Sequence, residues 1–180
     1  CYVHLKPEQL ESGQRLRTVD EWKSIIDQAI DAGMISAQLT GGECLTYPGF
    51  KEVYLHLYTR GVRTAVMTNG RLLTKEMVAF FAEHQPSIIQ ITVYGSSEDA
   101  YERVCGHRAF REVVDGIERA TNAGLQVYCT ISPSRYMQED VDAIFDLLRS
   151  MNVPYFLGGA MLPARAETGR KLDEFTVEAD

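Results

Sequence analysis

The sequence predicts an α/β fold of repeated strand–helix units with parallel strands. Apolar residues recur alternately at spacings of two and of three to four along most of the chain, marking strands and helices in turn. Each strand-like segment is separated from the next by a helix-like one, which calls for parallel strands and right-handed crossovers. Glycines punctuate the pattern: Gly33, Gly61 and Gly124 close helices, and Gly41-Gly42, Gly70 and Gly95 follow strands.

The elements follow in order. A helix capped by Thr18 or Asp20 runs to about residue 32, with Trp22, Ile25, Ile26, Ala29 and Ile30 on one face and Trp22 expected to pack against the sheet. A strand over 35–40 follows. Pro48 opens a helix with Phe50, Val53, Tyr54 and Leu57 on its apolar side. The spacing then predicts a strand over 63–67, a helix over 74–84, a strand over 87–94 and a loop over 95–97. A strong helix over 110–123, a strand over 126–132, a helix over 138–151 and a short strand over 154–157 complete the pattern. From about residue 160 the chain is polar and aperiodic, so the domain is expected over 1–160 with a polar segment over 161–180.

Strand composition bears on the choice between an open doubly wound sheet and a curved, barrel-like one. Central strands of an open parallel sheet are apolar on both faces. Here Gln38 and Thr40 share one face of a strand, Gln90, Thr92 and Tyr94 one face of another, and Tyr128, Thr130 and Ser132 one face of a third. Exposed edge strands would also read this way, but the recurrence on several strands favours a curved sheet around a wet cavity. The expected fold is therefore a partial (β/α) TIM-like barrel.

Composition narrows the function classes. The 180 residues fit one domain, and a net charge of −7 offers no bulk attraction to nucleic acid or an anionic membrane. No apolar run approaches the roughly 18 residues of a membrane span. The four cysteines, Cys1, Cys44, Cys105 and Cys129, form no disulfide framework and no CxxC pair, so a reducing, cytoplasmic setting is expected. Cys1 could also be a lipoprotein's acylation site, but no tether-like polar segment follows it.

The chemistry-bearing residues gather at strand ends. Leu39-Thr40-Gly41-Gly42-Glu43 puts two glycines and a carboxylate where a strand emerges into a loop. Glycines there let a ligand approach the backbone, and a glutamate can hold a ligand ammonium. Gly-Gly also marks many ordinary turns. Thr68-Asn69-Gly70 and Tyr94-Gly95-Ser96 fall at the ends of two further strands. Parallel strands place ligand sites at their carboxyl ends, so the three turns make a candidate site for a polar small molecule.

These residues resemble the radical S-adenosylmethionine (radical SAM) superfamily. Thr40-Gly41-Gly42-Glu43 resembles its Gly-Gly-Glu motif, and Thr68-Asn69-Gly70 its Thr-Asn-Gly turn. Ile91-Thr92-Val93-Tyr94-Gly95, Tyr101-Glu102-Arg103, Gly106, Ala109-Phe110, Val113 and Gly116-Ile117 are similar to its SPASM-type and peptide-modifying branches. Cys1-Tyr2 looks like the last cysteine of its Cys-x3-Cys-x2-Cys loop and the following aromatic. The resemblance implies an enzyme that binds a 4Fe–4S cluster and SAM and generates a 5′-deoxyadenosyl radical. That radical would take hydrogen from a peptide or protein substrate, or from a small molecule. An electron donor such as flavodoxin or ferredoxin is implied. Cys1 would be a cluster ligand, since thiolates suit iron. Gly41, Gly42 and Glu43 would hold the methionine amino group. Thr68, Asn69 and Thr92 would line the SAM pocket, with Ser132 near the ribose.

The chain also departs from the family pattern. The first two cluster cysteines and the first strand are absent from it. Cys44 stands where the family commonly has proline, and Cys105 where related enzymes often carry arginine. Arg103 is a candidate to replace that arginine. Cys129 shares strand parity with Val127 and Ile131 and reads as core. His4 could lie near the cluster or in a solvated loop; His56, His84 and His107 read as surface or packing residues, and Arg165 and Arg170 as solvated charges. Rival readings are a radical SAM enzyme of cofactor biosynthesis, a cluster-less TIM-like lyase, or a binding scaffold. No lysine lies at the strand ends, which argues against a Schiff-base lyase.

Overall fold

A computed structural model of the chain describes residues 16–132 and 134–158. Cys1, His4, Arg165, Arg170 and the segment 161–180 lie outside the described residues. Among the described residues five strands, β1 (Ser36–Leu39), β2 (Arg63–Thr68), β3 (Ile88–Val93), β4 (Val127–Ile131) and β5 (Tyr155–Leu157), form one sheet in the order β1-β2-β3-β4-β5. Every neighbouring pair is parallel. This order decides between the two architectures. A doubly wound sheet reverses at a switch point and carries helices on both faces. Here each strand adds beyond the one before, so right-handed crossovers put the connecting helices on one face. The result is a singly wound arc, the geometry of part of a (β/α) barrel.

Among the described residues the helices are α1 (Val19–Asp31), α2 (Phe50–Thr59), α3 (Lys75–Glu83), α4 (Glu98–Cys105), α5 (Phe110–Asn122) and α6 (Val141–Ser150). Two 3-10 turns, Cys44–Thr46 and Arg135–Asp140, precede α2 and α6. Thr18 caps α1 in a reciprocal box: its hydroxyl accepts the Glu21 N–H, and the Glu21 carboxylate accepts the Thr18 N–H. Thr74 and Ser97 cap α3 and α4 in the simpler way.

Three expectations need correction. Trp22 does not pack onto the sheet: it is 37% exposed, with the Arg17 guanidinium over its ring. The reason is that α1 lies at the β1 edge. It contributes Ile26 to a small cluster with Val53, Leu57 and Val62, with Val19 and Ile30 packed against it, while Trp22 and Ile25 lie beyond the reach of that partner and stay exposed. Helix α4 was not expected; its signals were Ser97 as cap, two acids in the first turn and Gly106 at φ 75° after its end. The helix expected over 138–151 is split, because a 3-10 turn ends at Asp140 before α6 begins.

The two faces of the sheet differ as the strand composition foretold. On the helix side Val66, Ile89, Ile91, Cys129 and Ile131 are fully buried. They join Tyr54, Phe81, Ile117, Ile144 and Leu148 from the helices in one core. On the other side Met67, Gln90 and Tyr128 form one cross-strand row and Thr92, Thr130 and Phe156 another. These residues stay half-exposed or exposed. The Gln90 amide donates to Thr130 Oγ1 at 2.7 Å across that face.

Candidate functional site

The site is built at the carboxyl ends of β1, β2 and β3. Beyond β1, Thr40, Gly41 and Gly42 are exposed. Gly41 has φ 151°, which other residues avoid, and a Cβ on either glycine would meet nothing within 4 Å. The backbone of this turn is therefore open to an approaching ligand.

Glu43 turns the other way. Its Oε1 accepts the Leu45 N–H at 3.1 Å and the Thr68 hydroxyl at 2.8 Å, and its Oε2 accepts the Asn69 N–H at 2.7 Å. One carboxylate thus joins the turn after β1 to the turn after β2. Next to it the Cys44 thiol donates to the Met67 carbonyl at 3.3 Å. Burial, and then the Glu43 charge, push the Cys44 thiol up to about 12, so it stays protonated at neutral pH.

The turn after β2 has its own closure. Thr68 is 5% exposed, and its oxygen accepts the Gly70 N–H at 3.1 Å. Asn69 Oδ1 accepts the Arg71 N–H at 3.0 Å, an Asx turn. Beyond β3, the Ser96 hydroxyl donates to Asp140 Oδ1 at 2.7 Å, and Arg103 pairs with Asp140 Oδ2 at 2.6 Å. Arg103 is thus engaged with Asp140. Sequence reasoning missed Asp140 because it fell in the first turn of the helix expected over 138–151, where an acid reads as an ordinary N-terminal charge. Its low exposure, 14% for the side chain, marks it as part of the rim's framework.

Of the residues singled out from sequence, the structure brings Glu43, Thr68 and Asn69 into one hydrogen-bond network, with Gly41 and Gly42 immediately before it. Thr92 stands half-buried on the open face, in register with Thr130. Ser132 is half-buried just past β4. Ser134, which the sequence did not flag, carries a buried hydroxyl without a hydrogen-bond partner among the described residues. Cys129 is core, as expected, with its thiol raised to about 12 by burial. His56 bonds Asp27 at 2.7 Å, His84 stacks edge-on with Tyr58, and His107 is exposed.

The cofactors implied by the resemblance fit unequally. For SAM, the two open glycines beside a carboxylate suit an amino-acid ammonium. For an iron–sulfur cluster, the described residues hold no group of three His, Cys, Asp or Glu side chains that could bind a metal. Cys1, the ligand that the resemblance implies, lies outside the described residues.

The comparisons with known proteins converge. PqqA peptide cyclase of Bradyrhizobium diazoefficiens is 27% identical over 98% of this chain and 49% of its own length. Fe-coproporphyrin III synthase of Methanosarcina barkeri is 27% identical over 86% of this chain and 38% of its own. Streptococcus suis SuiB bound to its precursor peptide SuiA superposes with a TM-score of 0.73 at 15% identity, over 87% of this chain and 35% of SuiB. The same protein bound to S-adenosylmethionine gives 0.68 at 16%, over 78% of this chain and 33% of SuiB. The chain spans about half or less of the length of these relatives. The profile of the Radical SAM superfamily matches residues 1–156, and this chain belongs to that superfamily.

Proposed function

We propose that this chain is the SAM-binding core of an enzyme that takes hydrogen from a peptide or protein substrate. The observation that carries the reading is the open Gly41-Gly42 backbone beside the Glu43 carboxylate. The carbonyls of Gly41 and Gly42, with the remaining lone pair of Glu43, would hold the methionine ammonium. Asn69, Thr92 and Ser132 would line the nucleoside side, and Thr68 would support it from the buried side. Cys1, with two cysteines of a longer chain, would bind the 4Fe–4S cluster. SAM and cluster, when bound, supply one-electron chemistry that ends in hydrogen-atom abstraction, with flavodoxin or ferredoxin as a fitting electron donor.

The half-exposed face bearing Gln90, Thr92, Tyr128 and Thr130 would meet the substrate. It is neutral and amide-compatible, which suits a peptide segment. The similarity to PqqA peptide cyclase, and the fold shared with SuiB in complex with its precursor peptide, support that choice. The equal identity to Fe-coproporphyrin III synthase keeps cofactor biosynthesis as a second reading.

The test is anaerobic reconstitution of the full-length protein followed by an assay for 5′-deoxyadenosine. Product is expected on reduction with SAM present. A verified cluster that yields none would remove the reading.

A further inference from the structure

We infer that Thr68, acting through Glu43, is a positioning residue that holds the Gly41-Gly42 turn in place before any ligand arrives. The inference rests on the SAM reading above and adds to it a residue that does not touch the ligand. A carboxylate offers about four lone-pair sites. Three of the four on Glu43 are taken by the Leu45 N–H, the Thr68 hydroxyl and the Asn69 N–H. Only one remains for an ammonium, so the carboxylate works first as a clasp between two turns.

Thr68 sets the direction of that clasp. Its side chain lies in the buried row with Thr64 and Val66, away from the open face. Its oxygen accepts the Gly70 N–H, which leaves its own proton for Glu43 Oε1. The Cys44 thiol on the Met67 carbonyl is a second, independent tie between the same segments. Hydrogen bonds to a charged acceptor are the stronger kind, and a turn held this way meets its ligand with less ordering to do.

The test uses the full-length, cluster-reconstituted protein and reads the SAM dissociation constant. Thr68→Val keeps the shape and removes the hydroxyl; it should weaken SAM by about tenfold, roughly 1.4 kcal/mol. Thr68→Ser restores the hydroxyl and should bind within about twofold of the wild type. In a Glu43→Ala background, adding Thr68→Val should change the constant by less than about twofold, because the path through Glu43 is already gone. Wild-type affinity in Thr68→Val, or an undiminished effect without Glu43, overturns the inference. Should Thr68→Val not fold, amide exchange in the ligand-free wild type decides. Protected Leu45 and Asn69 amides support a preformed clasp, and free exchange at both overturns it. A wild type that binds no SAM would instead defeat the reading on which the inference rests, while the exchange result would still judge the clasp.

Discussion

At Gly41 and Gly42 an added Cβ would meet nothing within 4 Å, whereas at Gly70 it would stand 2.9 Å from Ile91 Cγ2 and at Gly95 2.6 Å from the Ala100 Cβ. The same residue thus serves opposite ends in neighbouring turns. After β1, glycine keeps space clear on the outside, where a ligand can reach the backbone. After β2 and β3, it lets other parts of the fold close in. Helix α5 presses on the second turn, so that a Cβ on Gly116 would come within 2.7 Å of the Gly70 carbonyl oxygen. Openness within a shared rim therefore separates the part fitted to bind from the parts fitted to hold.

The largest effect that bears on this contrast is expected at the packed glycine. Gly70→Ala adds a side chain at φ 82° and into contact with Ile91. It should cost about 3 kcal/mol, from left-handed strain and overpacking together. Urea unfolding measures it, and a loss below about 1 kcal/mol would mean the turn yields easily.

Gly42→Ala should do the reverse. It meets no atom, so stability should stay within about 1 kcal/mol of the wild type. Its SAM affinity should fall by about tenfold, because a methyl group crowds the backbone that a ligand must approach. Unfolding and SAM titration on the same preparation separate the two. A variant that loses stability and keeps SAM would erase the contrast.

The effect that is smallest near neutral pH, and that emerges only in alkali, concerns the packed side of the first turn. The Cys44 thiol, ordinarily near 9.0, is held up at about 12 by burial and by Glu43. The folded state keeps this proton and the unfolded chain releases it above pH 9, so folding is favoured fully below pH 9. That contribution is lost as pH rises from 9 toward 12. Cys129, raised to about 12 by burial, adds to the same trend. A urea series across this range should show falling stability, and Cys44→Ala should make the fall shallower. An unchanged slope would show that Cys44 is not the group responsible.

Much of the fold was legible locally. The cap at Thr18, one of the two offered, the glycines after helices and the period-two strands mark elements that the structure reproduces. Helix α4 was harder to see because only Ala100 and Tyr101 are buried on it, too few to set up an apolar period. Trp22 misled for the related reason that an apolar stripe shows what a helix can bury, not how much surface it is given. In the candidate site, the strand-end motifs were visible as types and order. The use of each atom was not, and Asp140 had no signal beyond its place in the first turn of an expected helix.

What the sequence determined by itself is the succession of strands and helices and the placing of small polar turns at strand ends. Period, caps and glycines act over a few residues, so they can be read without knowing the neighbours. Only the tertiary structure decided that Glu43 faces inward and that Thr68 is a buried support. Those partners lie 25 and 26 positions away along the chain, and parallel pairing of β1 with β2 is what brings them within hydrogen-bonding reach.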